Sequence, residues 1–151
     1  MKVLIDADGC PVVDIAVQLC NKFQIPCLLL CDTAHQMHRS GATTLVFDKG
    51  ADSVDFALVN RVEAGDLVIT QDYGLASMCM AKKARILHQD GWEYTEYNIQ
   101  ALLFQRAESR KYRASGGRIK GPAKRRPQQD KDFQDALLRI LSRDRSQGDP
   151  K

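Results

Sequence analysis

No Cys-x-x-Cys pair occurs in these 151 residues, no apolar run approaches a membrane span, and aromatic side chains make up only 7%. Each shortage excludes something. The five cysteines (Cys10, Cys20, Cys27, Cys31, Cys79) are odd in number, and most sit in apolar stretches such as IPCLLLC. They read as small buried hydrophobes, not as a disulfide framework or a zinc site. A membrane helix needs roughly 18 to 20 apolar residues, so no membrane association is expected. The opening MKVLIDADG has three apolar positions before its first acid, too few for a signal peptide, and the expected location is cytoplasmic. Histidine is also scarce. His35 and His38 share one polar loop without a third ligand at metal spacing, and His88 ends a strand; surface or hydrogen-bonding roles are expected. No serine or threonine forms a nucleophile motif, and no internal repeat is visible.

What is present describes one ordinary domain with a core of its own. Hydrophobic residues make up 44% and charged residues 27%. The net charge of +3 conceals an asymmetry. Residues 1–105 carry eight Lys and Arg against thirteen Asp and Glu, whereas residues 106–126 carry nine basic residues and only Glu108. An acidic body adjoins a basic segment, and that segment is where a polyanion would bind.

Apolar strands are expected at 2–6, 25–31, 43–48, 66–70 and 84–88, with helices at about 11–23, 51–62 and 74–83. The polar connection 32–41 is short enough for a loop or one brief helix. Buried strands alternating with helices predict an α/β fold with a mostly parallel five-stranded sheet covered on both faces. A helix is expected over 97–113, followed by a glycine- and proline-rich basic arm over about 110–126. Phe133, Ala136, Leu137, Ile140 and Leu141 have helical spacing, predicting a last helix at 130–141 that docks on the body. The domain is expected to span 1–141, with 142–151 a flexible tail.

The acids are placed suggestively. Ligands of parallel sheets bind beyond the carboxyl ends of the strands. Asp6 ends the first strand and Asp8 follows it; Asp72 lies two residues past the fourth. Asp52 and Asp55, three apart, share a face of the expected 51–62 helix. Clustered carboxylates repel, by roughly 4 kcal/mol per pair at about 4 Å and an effective dielectric near 20, so they need bound cations or raised pKa values. Hard oxygen donors suit Mg²⁺ or Mn²⁺, which activate water for phosphodiester hydrolysis. Asp6, Asp55 and Asp72 are the candidate catalytic residues, and Asp6, Asp8, Asp52, Asp55 and Asp72 the candidate metal ligands. Simple helix capping competes as an account of Asp52 and Asp72. Asp32 and Asp48, also near strand ends, are weaker candidates. Thr70 is positioned for a ligand contact.

VLIDADGCP, GADSVDFALVNRVEAGDLVITQDYGLA and GGRIKGP together resemble the YaiI/YqxD family of bacterial proteins over about residues 1–141. That family is grouped with the PIN-like domains, so the resemblance implies a three-layer α/β/α PIN-like domain. Many PIN domains are metal-dependent ribonucleases. By resemblance, Asp6 matches the aspartate after the first strand, Asp55 the helical aspartate before the fourth, and Asp72 the aspartate of a T-x-D motif, here Thr70-Gln71-Asp72. PIN enzymes usually carry a further Glu on an earlier helix, whereas residues 12–47 contain none; Asp8 or Asp52 is the expected substitute. PIN-like proteins often pair, which extends the expectation to a homodimer.

The expected function is a Mg²⁺- or Mn²⁺-dependent nuclease acting on RNA. Arg110, Lys111, Arg113, Arg118, Lys120, Lys124, Arg125 and Arg126 would hold the phosphate backbone. Tyr112 is the segment's only aromatic, so base stacking is not expected there. One alternative is a non-catalytic RNA- or protein-binding module. The other is a haloacid-dehalogenase-like phosphatase, because IDADGC resembles that superfamily's D-x-D-G-T opening with Asp6 as nucleophile; Cys10 stands where its Thr belongs.

Overall fold

Val3, Leu4 and Ile5, and Ala7 just past Asp6, are completely shielded from solvent, because the first strand lies in the middle of the sheet. The computed structural model describes residues 1–50, 53–117 and 124–148. Its elements are β1 (Val3–Asp6), α1 (Val13–Lys22), β2 (Cys27–Asp32), β3 (Thr43–Phe47), α2 (Ser53–Arg61), β4 (Leu67–Ile69), α3 (Tyr73–Ala81), β5 (Arg85–Leu87), α4 (Glu96–Ala114) and α5 (Pro127–Gly148). The sheet is five-stranded and entirely parallel, in the order β3-β2-β1-β4-β5.

Period-two alternation sorts the strand side chains between two cores. Val3, Ile5, Leu29 and Ile69 pack with α1 and with Phe133 and Leu137 of α5. Leu4, Leu30, Val68 and Ile86 pack with Leu58 of α2, Leu75 of α3 and Ile99 of α4. The result is a three-layer α/β/α domain. Asp6 is two residues beyond Leu4, and Thr70 two beyond Val68. That alternation assigns both to the α2–α3 side. The register pairs Ile5 with Ile69, so Asp6 and Thr70 come next in line on adjacent strands.

Three expectations change in detail. The 33–42 connection contains no helix. Its polar groups bond locally instead: Ala34 N–H donates to Asp32 Oδ1 at 2.9 Å, and Thr44 Oγ1 donates to Met37 O at 2.8 Å. Such side-chain bonds compete with helical ones. The start of the expected basic arm is helix, with Arg110, Lys111 and Arg113 all on α4. The helix ends at Ala114, and Gly116, whose φ of +93° is left-handed, turns the chain away from it. Gly116 N–H bonds Arg113 O and Gly117 N–H bonds Tyr112 O, the Schellman pattern that terminates helices. Finally, α5 runs from Pro127 to Gly148, through most of the expected tail. Proline suits a first turn, and the Ser, Arg, Asp and Gln residues over 142–147 do not break a helix.

A close approach anchors α5. A Cβ on Gly91 (φ +94°) would sit 2.6 Å from the Asp132 carbonyl, so only glycine lets the 88–92 turn lie against that helix. Arg125 clasps the same turn. It bonds Asp90 Oδ1 at 2.7 Å, Gln89 O at 2.8 Å and Asp130 Oδ1 at 2.7 Å. Among the described residues no helix is long and apolar enough to cross a membrane.

Candidate metal centre

The strand order reverses between β1 and β4. The link from β1 runs over the α1 face and the link from β4 over the α3 face, which opens a crevice beyond their carboxyl ends. Asp6 stands at the end of β1. Thr70 follows β4, and Asp72 is the N-cap of α3. Asp55 lies in the first turn of α2, where a carboxylate also complements the helix dipole.

Thr70 ties the two strand ends together. Its hydroxyl donates to Asp6 Oδ2 at 2.9 Å and accepts the Asp72 N–H at 3.0 Å. Behind it, the Tyr94 hydroxyl donates to Thr70 O at 3.2 Å. Burial raises the Asp6 carboxyl to about 6, the Thr70 hydrogen bond opposes that rise, and the charges of Asp55, Asp72 and Asp8 add to it. Asp6 is thus a carboxylate that water serves poorly and neighbouring acids penalise, an environment that a cation relieves.

Asp72 has two duties. Its Oδ1 caps α3 by accepting from Gly74 N–H at 2.9 Å and Leu75 N–H at 3.2 Å, and it pairs with Arg106 Nη1 at 3.2 Å. The capping account and the ligand account of Asp72 are therefore compatible. Arg106 was not among the candidate residues. Its position is the signal: it continues the Ile99, Leu102 and Leu103 stripe of α4, which brings its guanidinium to Asp72 although the residue remains exposed.

Asp6, Asp8, Asp32, Ser53 and Asp55 line one cleft of about 170 Å³. Asp55 and Asp72 line a second, with Arg106. The three candidate catalytic aspartates therefore converge on one edge of the sheet. They do not form its tightest group. Among the described residues, the ligand atoms that close within 4.8 Å of one another are those of Asp8, Asp32 and His35. Asp8 accepts the Asp32 N–H at 3.3 Å, and His35 Nδ1 lies 2.8 Å from Asp32 Oδ1 and 3.9 Å from Asp8 Oδ1. Burial and the Asp32 charge raise the Asp8 carboxyl, whereas the His35 hydrogen bond lowers that of Asp32. Asp32 thus belongs with the acids of the cleft, although its position at a strand end resembled an ordinary turn residue. Asp48 is exposed. Asp14, the other acid in the stretch without Glu, pairs with Arg39 at 2.5 Å, so Asp8 and Asp32 supply the extra carboxylates beside Asp6. Asp52 lies outside the described residues.

The donor set suits Mg²⁺ or Mn²⁺. Asp6, Asp55 and Asp72 offer hard oxygens only, and a few carboxylates leave coordination positions for water. The five cysteines contribute nothing: four are buried and Cys10 is partly so.

The predicted phosphate-binding residues divide. Arg110, Lys111, Arg113, Lys124 and Arg126 are exposed. Arg125 is engaged in the clasp on Asp90 and Asp130, which holds its guanidinium within the fold. Arg118 and Lys120 lie outside the described residues.

A family model described as "Uncharacterized BCR, YaiI/YqxD family" matches residues 4–143. A UPF0178 protein of Exiguobacterium sibiricum is 48% identical over 142 residues, 94% of this chain and 97% of that protein. UPF0178 proteins of Ruminiclostridium cellulolyticum (43% identical; 93% and 92% of the two chains) and Natranaerobius thermophilus (40%; 93% and 96%) are similar over nearly the same span. No solved structure matches the chain. With the family model covering nearly all of the sequence and these relatives aligned along almost their full length, the chain belongs to the YaiI/YqxD family.

Proposed function

We propose that the chain is a cytoplasmic, divalent-metal-dependent nuclease that hydrolyses phosphodiester bonds in RNA. One observation carries this reading: a half-buried Asp6, raised to about 6, surrounded by the charges of Asp55, Asp72 and Asp8 at the switch point of a parallel sheet. Such an arrangement is costly without a cation and useful with one. A PIN-like ancestry, with Asp6, Asp55 and Asp72 in matching positions, agrees with it.

Asp6, Asp55 and Asp72 would hold Mg²⁺ or Mn²⁺. The bound ion would polarise a phosphoryl oxygen and make a water more acidic. Thr70 keeps Asp6 oriented and fixes the Asp72 backbone in the same contact. Arg106, Arg110 and Arg113 recur at four- and three-residue spacing along α4, so they form one cationic stripe. It leads away from Asp72 and would carry the phosphate backbone. Hydrolysis adds the oxygen of water to phosphorus and releases the ribose oxygen as a hydroxyl.

The orientation of Asp8 weighs against the phosphatase alternative. In that chemistry the second aspartate serves as acid and base beside the first, but here Asp8 accepts from the Asp32 backbone and faces His35. The test is cleavage of single-stranded RNA by purified protein with Mn²⁺, compared with Asp6→Asn. Metal-dependent cleavage lost in the variant is expected. Inert protein across varied RNAs, with Mn²⁺ still bound, would reject catalysis in favour of a binding module.

A further inference from the structure

The second cleft at the sheet edge has a composition that metal binding alone does not require. It measures about 290 Å³ and is lined by Asp55, Phe56, Asp72, Leu75, Met78 and Arg106, with the Gly74 backbone. That volume is close to the lower end, roughly 300 Å³, of small-molecule sites. Phe56 is 61% exposed and Met78 39%. The buried residues of α2 are Ala57 and Leu58, so the Phe56 ring is not needed by the core. It adjoins Asp55, which lines the carboxylate cleft as well as this one. Among the described residues only Nη1 of Arg106 is engaged, to Asp72; a guanidinium has further N–H donors.

We propose that this cleft is a nucleotide subsite for single-stranded nucleic acid, with Phe56 stacking on a base and Arg106 contacting the adjoining phosphate. The inference rests on the nuclease reading and names its substrate class. Asp55 lines both clefts, so a strand whose phosphate sits at the carboxylates reaches the apolar wall with the neighbouring nucleotide. The cationic stripe of Arg106, Arg110 and Arg113 then continues along α4 in the direction a polyanion would follow. A base stacked and paired within a duplex cannot offer its face to Phe56, whereas a splayed base can. Every base has such a face, so the contact tolerates sequence.

The experiment measures binding of a labelled oligo-uridine of about ten nucleotides, and of a duplex, to the full chain with Ca²⁺. Mn²⁺-dependent cleavage of an unstructured RNA is followed in parallel. Phe56→Ala is expected to weaken single-strand binding about 5- to 100-fold. Phe56→Trp should retain it, duplex binding should be indifferent to both, and Mn²⁺ affinity should not change. Arg106→Ala should weaken binding and flatten its salt dependence. Single-strand binding by Phe56→Ala equal to that of the parent overturns the subsite even if cleavage is intact. Absent cleavage with a retained Phe56 effect upholds the subsite and rejects the nuclease. A parent chain that binds no single strand overturns the subsite.

Discussion

The Thr70 hydroxyl and the Asp6 carboxylate are joined by a 2.9 Å hydrogen bond across the β1–β4 boundary, where the sheet's connections diverge. Thr70 is almost wholly buried, and the same oxygen accepts the Asp72 N–H. Thr70→Val keeps the shape and removes both bonds. It is expected to lower stability by about 1–2 kcal/mol and Mn²⁺ affinity roughly tenfold, read by urea unfolding and titration calorimetry. Unchanged Mn²⁺ affinity would mean that Thr70 does not orient the ligand set.

Asp6 also sets a pH dependence. Its carboxyl lies at about 6 in the fold against 3.8 ordinarily, so the folded chain retains a proton that the unfolded chain has lost. The associated stability is fully present below about pH 4 and is lost as pH rises through 6. Metal-free Asp6→Asn should lack this decline and exceed the parent at pH 7 by up to about 2 kcal/mol. Saturating Mn²⁺ should reverse the ranking, because it binds only the folded parent. Denaturant melts from pH 4 to 8, with and without Mn²⁺, measure both effects.

Asp72 separates capping from ligation. Asparagine caps helices as well as aspartate does, so Asp72→Asn should leave stability nearly unchanged while weakening Mn²⁺ binding tenfold or more, on the order of a lost charged contact. Asp72→Ala should lose the metal and, in addition, about 1 kcal/mol of stability. Equal Mn²⁺ affinities for the parent and Asp72→Asn would reduce Asp72 to a cap.

Arg125 should behave as a structural residue. Arg125→Ala removes the clasp on Asp90, Asp130 and Gln89 O and should cost about 1–3 kcal/mol, with little change in the salt dependence of RNA binding. Alanine at Arg110, Lys111 or Arg113 should do the opposite: little change in melting, and a lower salt slope for each phosphate contact removed.

Lys83 offers a stability gain independent of function. Its φ is +66°, and its N–H bonds Met80 O where α3 ends. Lys83→Gly relieves the left-handed strain and should raise stability by about 1 kcal/mol, seen as a higher melting temperature.

The order of strands and helices was legible because each buried strand is a short apolar run between glycines, acids and amphipathic stretches. The convergence of Asp6 and Asp72 was legible only conditionally, since it required β1 and β4 to be neighbours and periodicity does not specify strand order. Asp32 ranks only as a weaker candidate in the sequence for a related reason: nothing local reveals that β2 lies beside β1 and brings it to Asp8. Arg125 looked like one charge in a basic run, but its partner Asp90 lies 35 residues away. The α4 helix ends at Ala114, one residue past the expected 113, whereas the arm expected from about 110 begins within it, because basic residues suit a helix as readily as a loop. Phe56 within the ADSVDFALV stretch and Arg106 at the head of the basic segment carry no individual signal, because only the fold brings α2 and α4 to the same cleft.

The central strand is the first to be written, yet one face of it is sealed by Phe133, Leu137 and Leu141 near the other end of the sequence. Closure of that core therefore spans most of the chain and joins residues of very high sequence separation. Folding should be slow for the domain's size and strongly cooperative. A fragment ending before Pro127 would leave an apolar sheet face open and would associate with other copies instead of persisting as a smaller folded unit.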